Sequence, residues 1–166
     1  MKTVIVAAVT ADGVIGRTSE HLADWTGKAD KKLFVRVTKE AGAMVMGSRT
    51  FATIGRALPG RRTIVYTSRP GEITAEGVET TNEAPAELVA RLAREGAAGL
   101  AVVGGASIYS QFMEAGVVDE LYLTVAPLLF GTGVPLFRTT LETHLELLEQ
   151  LPLDDDTVLL HYRVKR

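Results

Sequence analysis

The chain has 166 residues, 46% of them hydrophobic and 23% charged, with a net charge of −2 and no cysteine. These values suit one soluble globular domain (1–166) with a full core. They argue against nucleic acid or an anionic membrane as the main partner, and exclude a disulfide framework, a thiol nucleophile and a cysteine-based metal site. The N-terminus enters an apolar run without a signal-peptide pattern, and no run reaches membrane-spanning length, so the expected address is cytoplasmic.

Residues 3–9 are continuous and rich in β-branched side chains, the pattern of a strand buried on both faces. Ala11-Asp12-Gly13 breaks the strand, Val14-Ile15-Gly16 follows, and residues 17–27 form a polar, irregular stretch long enough to be a functional loop. Leu33, Phe34, Val37 and Ala41 give residues 29–41 the one-sided spacing of an amphipathic helix, stopped by Gly42. A short strand at 43–46 ends at Gly47, and Ser48 is the expected N-cap of a helix through Ile54. A turn over 55–60 leads to a strand at 63–66 and a weak edge strand at 77–80. Asn82 and Pro85 mark the start of a helix running to Glu95.

Leu100-Ala101-Val102-Val103 then stops at Gly104-Gly105, and Ile108, Phe112 and Met113 carry helical spacing up to Gly116. Taken alone, the glycine pair is either a tight strand-to-helix turn or a place where a phosphate meets a helix N-terminus. Residues 120–126 form a strand, 131–135 a turn-rich loop, and 145–151 with 157–164 an antiparallel pair. The alternation predicts an α/β fold: a mostly parallel sheet, helices on both faces and an antiparallel C-terminal edge. Ligands of such sheets lie beyond the carboxyl ends of the strands, so the residues just after each strand matter most. The sequence lacks G-x-G-x-x-G, G-x-x-x-x-G-K-[ST], H-E-x-x-H and G-x-S-x-G motifs, and His21, His144 and His161 have no metal-ligand spacing. No metal site is expected.

Four stretches beside strand ends form a constellation. Gly47-Ser48-Arg49-Thr50, Thr67-Ser68-Arg69-Pro70 and Gly104-Gly105 offer glycines, hydroxyls and cations, which suit a polyanionic cofactor. Ala29-Asp30 puts a carboxylate on an otherwise apolar helix face, where it is either a helix-start residue favoured by the dipole or a site group.

In order, these stretches resemble dihydrofolate reductase over most of the chain. The similarity lies in Val4-Ile5-Val6-Ala7-Ala8, Val14-Ile15-Gly16, Trp25 five residues before Asp30, Phe34, and Val45-Met46-Gly47-Ser48-Arg49-Thr50. It continues in Ile54-Gly55-Arg56-Ala57-Leu58-Pro59-Gly60-Arg61, the most specific of the motifs, then Ser68-Arg69, Val103-Gly104-Gly105 with Tyr109, and Tyr122-Leu123-Thr124.

The resemblance implies a three-layer fold of eight strands and about four helices, and NADPH-dependent reduction of dihydrofolate by a monomer or homodimer. It makes Asp30, Trp25 and Thr124 the catalytic candidates. Asp30 binds the pterin and supports protonation at N5, and Thr124 is its hydrogen-bonded companion. Val6, Ala8, Phe34, Ile54, Leu58, Val103 and Tyr109 are the further substrate contacts, with Arg61 on the glutamate carboxylate. The cofactor contacts implied are Ala8, Ile15, Gly16, Gly47, Ser48, Arg49, Thr50, Thr67, Ser68, Arg69, Val103, the cis pair Gly104-Gly105, Ala106, Ser107, Ile108 and Tyr109.

Four departures from the family pattern stand out. Leu22-Ala23-Asp24-Trp25 replaces a proline-containing motif, and Lys31 replaces an apolar residue. Ser107 stands where some members have a phosphate-binding cation, and residues 127–137 look more like the NADPH-dependent reductase domain of riboflavin biosynthesis. That reductase, acting on a ribosylaminopyrimidine or another pterin, is the alternative activity; a non-catalytic NADP-binding module is the second.

Overall fold

The computed structural model describes residues 1–18 and 23–166. Residues 19–22, which include His21 and Leu22, lie outside the described residues. The strands are β1 (Lys2–Thr10), β2 (Val14–Gly16), β3 (Ala43–Gly47), β4 (Arg62–Tyr66), β5 (Val78–Thr81), β6 (Gly99–Val102), β7 (Glu120–Ala126), β8 (Val134–Pro135), β9 (Leu145–Pro152) and β10 (Val158–Val164). Four α-helices occur among the described residues: α1 (Lys28–Ala41), α2 (Ser48–Ile54), α3 (Pro85–Arg94) and α4 (Ala106–Glu114). None of them is long and apolar enough to cross a membrane.

Eight strands form one sheet in the order β5-β4-β3-β6-β1-β7-β10-β9. The first six run parallel, and β10 pairs antiparallel with both β7 and β9. Side-chain alternation explains the unbroken apolar runs, because each face of the central strands has its own helical cover. Ile5, Val45, Ile64 and Val102 point to the layer containing Leu88, Leu92 and Phe112 of α3 and α4. Val4, Val6, Met44, Met46 and Val65 point to the layer containing Leu33, Val37 and Phe51 of α1 and α2.

Two local expectations need correction. Ser48 does not cap α2; it is the first helical residue, and Gly47 is the N-cap with no side-chain hydrogen bond. Gly47 takes this place because its N–H is bound across the sheet to Gly104 O at 2.8 Å, which keeps its backbone extended (φ −78°, ψ 165°). The stretch 131–135 is not loop throughout, since Val134–Pro135 pairs antiparallel with Val14–Gly16 as a separate two-stranded ribbon. That pairing joins segments more than a hundred residues apart, so no local pattern announces it.

Candidate active site

The carboxyl ends of β1, β3, β4 and β6 open into a cleft of about 1430 Å³. This exceeds the roughly 300–1,000 Å³ of a pocket for one drug-sized ligand and leaves room for two. β1 contributes Val6, Ala7 and Ala8 from its C-terminal half, and the other three contribute residues at or just past their ends: Gly47, Tyr66 to Arg69, and Val103 to Gly105. Helix starts fill the gaps between them, with Ser48, Arg49 and Thr50 from α2, and Ala106, Ser107, Ile108 and Tyr109 from α4.

Asp30 lies in the first turn of α1, yet that helix has no side-chain cap hydrogen bond. Its carboxylate meets the Thr124 and Thr26 hydroxyls and lines the cleft with Trp25, Thr26, Phe34, Ile54 and Leu58. Burial raises the Asp30 pKa above the ordinary 3.8, while the Thr124 and Thr26 hydroxyls and the charge of Lys31 pull it back. Thr124 is fully buried on β7, and its Oγ1 completes no hydrogen bond of good geometry. Trp25 Nε1 is a buried donor with no partner among the described residues. Tyr109 donates its hydroxyl to Val6 O at 2.8 Å, and burial together with nearby Asp30 raises its pKa from the ordinary value.

The middle of the cleft is narrow in backbone terms. The Gly104–Gly105 peptide is cis, and Gly104 has φ +132°. A Cβ on Gly104 would lie 3.4 Å from Thr50 Oγ1 and 3.5 Å from the Tyr109 hydroxyl. Glycine here keeps an open backbone surface at the N-terminus of α4, as close approach of a pyrophosphate requires. The residues present thus fit a dinucleotide: an open glycine surface, hydroxyls from Thr67 and Ser68, and Arg49 and Arg69 along one wall.

Three of the residues expected at the site do not form the cleft wall. Gly16 pairs with Val134, and Thr124 sits behind Asp30. Arg61 is turned back on its own turn, with Nη1 donating to Pro59 O at 2.6 Å and Nε buried without a partner. The cation that does reach the wall beside Asp30 is Lys31. Sequence reasoning missed Thr18, Thr26, Tyr66, Gln111 and Arg138, all of which line the cleft. Tyr66 was accessible to the strand-end rule, since it directly precedes Thr67. Its hydroxyl is buried without a partner, and burial with Glu83 nearby pushes its pKa to about 12 against an opposing Arg91. Arg138 carried no signal, because only the fold brings its loop to α4, where its backbone N–H donates to Ser110 Oγ at 2.9 Å.

The family model for dihydrofolate reductase matches residues 2–142. The chain belongs to the dihydrofolate reductase family. Membership makes it an oxidoreductase served by a nicotinamide cofactor. Dihydrofolate reductase type 3 from Salmonella typhimurium is 37% identical over 120 residues, covering 72% of this chain and 68% of that protein. A structure of dihydrofolate reductase from Enterococcus faecalis, complexed with NADP(H) and RAB-propyl, superposes with a TM-score of 0.77 at 26% identity, over 99% of this chain and 97% of that one. The fold is also that of a diaminohydroxyphosphoribosylaminopyrimidine deaminase/5-amino-6-(5-phosphoribosylamino)uracil reductase from Thermotoga maritima. That match has a TM-score of 0.79 at 14% identity and covers 99% of this chain and 56% of that protein.

Proposed function

We propose that this protein reduces 7,8-dihydrofolate to tetrahydrofolate with NADPH. One observation carries the reading: a single cleft has a half-buried carboxylate, Asp30, on its apolar side and arginines with hydroxyls on the other. NADPH, when bound, supplies the hydride. The chain's own part is to hold the two rings together and to bring a proton to N5 of the pterin as the hydride arrives.

In this reading Asp30 accepts hydrogen bonds from the donor edge of the pterin. Its negative charge raises the fraction of substrate protonated at N5, and the Thr124 hydroxyl completes the same network. Phe34, Ile54 and Leu58 pack on the aminobenzoyl group and exclude water. The Tyr109 hydroxyl fixes the Val6 carbonyl that borders both rings. Arg49, Ser68 and Arg69 take the adenosine 2′-phosphate, since two cations and a hydroxyl suit a dianion, and the first turn of α4 takes the pyrophosphate.

The test is the absorbance of the nicotinamide band with NADPH and dihydrofolate, with methotrexate as the control. Methotrexate-sensitive oxidation of NADPH supports the reading, and no oxidation with dihydrofolate ends it. A second reading, reduction of a phosphoribosylaminopyrimidine, draws support from the Lys31 cation on the cleft wall and the engagement of Arg61 with Pro59. Arg61→Lys separates the two. Lysine cannot reproduce a bidentate grip on a carboxylate, so dihydrofolate binding weakens if Arg61 swings out to hold the glutamate tail. A neutral outcome favours the phosphorylated pyrimidine.

A further inference from the structure

The stretch 127–137, where the sequence departs most from the family pattern, is fastened to the opening of the chain rather than left as a free loop. Ala11 N–H donates to Leu128 O at 2.9 Å, and the Asp12 carboxylate accepts from the backbone N–H groups of Phe130 (3.3 Å) and Gly131 (2.8 Å). Thr10 Oγ1 holds Asp12 in turn, at 2.6 Å. A side chain on Gly133 would collide with Gly16 O, so the β2–β8 ribbon also closes tightly here.

What this anchoring fixes is the Phe130 ring. The Arg17 guanidinium lies 4.3 Å from its centroid, and the Trp25 ring meets it edge-on, with centroids 5.4 Å apart and planes at 72°. This T-shaped geometry is the favoured one for aromatic pairs. Trp25 lines the cleft beside Thr26 and Asp30, while its indole N–H is buried with no partner among the described residues. With no hydrogen bond from Nε1 to the described residues, the orientation of the indole depends on ring contacts such as that with Phe130.

We propose that Phe130 is a positioning residue that sets the Trp25 indole against the bound substrate, with its unpartnered N–H presented to the substrate's polar edge. Through it, the 127–133 loop takes part in substrate recognition without touching the substrate. This inference rests on the assignment of the Trp25 side of the cleft to the substrate.

Trp25 is the only tryptophan in the chain, so intrinsic fluorescence reads this ring alone. Phe130→Leu and Phe130→Met remove the ring and keep apolar bulk, and Phe130→Tyr keeps the ring; thermal unfolding confirms that each is folded. In the leucine and methionine variants, acrylamide quenching of the ligand-free protein rises at least twofold. KM for dihydrofolate rises about five- to twentyfold, and the NADPH dissociation constant stays within twofold. The tyrosine variant keeps wild-type values throughout. Unchanged quenching overturns the proposal, and so does changed quenching with unchanged KM, or a tyrosine variant that behaves like leucine. Should leucine fail to fold, methionine decides alone. Should wild type fail to reduce dihydrofolate, the proposed substrate fails but the quenching measurement stands, and the KM comparison is made with the phosphoribosylaminopyrimidine.

Discussion

The two rims of the parallel sheet are built differently. Where the strands begin, charges are matched. Glu120, 6% exposed, has Lys2 Nζ at 3.1 Å and His161 Nε2 at 3.0 Å, and Asp119 pairs with Arg166 at 3.4 Å while accepting the Thr3 N–H. Arg62 spans Glu79 and Glu95 at 2.7 and 2.9 Å. Where the strands end, Trp25 Nε1 and Tyr66 Oη are buried at the cleft without partners among the described residues, and Thr124 Oγ1 has only the Asp30 carboxylate beside it. Thr3 Oγ1 and Arg61 Nε, just before β4, are the exceptions at the closed rim among the described residues. Buried polar groups in folded proteins are nearly always satisfied, so a cluster of open ones marks where the molecule is completed by something other than itself. The closed rim serves stability and the open rim serves binding.

The largest expected effect is at Asp30. Asp30→Asn lowers turnover near neutral pH by roughly 10²–10⁴, about 3–5 kcal/mol of barrier. The deficit shrinks as pH falls, because solvent then protonates the substrate directly. Stability moves the opposite way. The folded-state pKa of Asp30 lies above 3.8, so ionising the group disfavours the fold, and that penalty is fully present above the folded pKa and gone below the unfolded one. The asparagine variant is therefore the more stable protein at neutral pH, and its advantage fades as pH falls toward 3.8. Thermal melts across pH and a pH–rate profile check both halves. An asparagine variant with near wild-type turnover would show that the open rim is not the catalytic one.

Arg69→Ala comes next. Its guanidinium is exposed and only loosely paired with Glu72, at 3.5 Å, which leaves it available to a phosphate. KM for NADPH rises by roughly 10- to 100-fold, about 1.5–3 kcal/mol, with little change for NADH. Equal loss with both cofactors would remove the 2′-phosphate from this wall.

Glu120→Gln probes the closed rim. Burial alone would raise the Glu120 pKa, but hydrogen bonds from His161 and Lys2 outweigh it and hold the carboxyl below the ordinary 4.5. A lowered carboxyl pKa stabilises the fold above the unfolded value, and that contribution is lost as pH falls through the folded one. Urea unfolding at pH 7 shows a loss of about 1–2 kcal/mol that disappears in acid, with turnover unchanged. A matching fall in turnover would erase the distinction between the rims.

The smallest effect is at Arg138. Its backbone is pinned to Ser110, one helical turn (about 5.4 Å) from the start of α4, a gap that an arginine side chain spans. Ser107 gives that start a hydroxyl and no cation of its own. Arg138→Ala raises the NADPH dissociation constant by up to about tenfold, roughly 0.5–1.5 kcal/mol, and leaves KM for the second substrate unchanged.

Much of this was legible in the sequence, and for local reasons. Continuous apolar runs such as Val4-Ile5-Val6 and Ala43-Met44-Val45-Met46 announce strands covered on both faces, because alternate side chains must each find an apolar layer. Glycines at 42, 55 and 116 stop helices through positive φ. The order of such signals, with the motif strings at the strand ends, was enough to point to the family. Tertiary structure alone decided the rest. It set Arg61 against Pro59, seated Thr124 behind Asp30, brought Arg138 to α4 and laid Phe130 against Trp25. Apart from the Arg61 turn, which is local, these contacts join distant segments, and the sheet order that brings them together is chosen by packing across the whole sheet. Periodicity and caps act over a few residues, whereas a buried hydroxyl such as that of Tyr109 is aimed by a neighbour a hundred residues away along the chain.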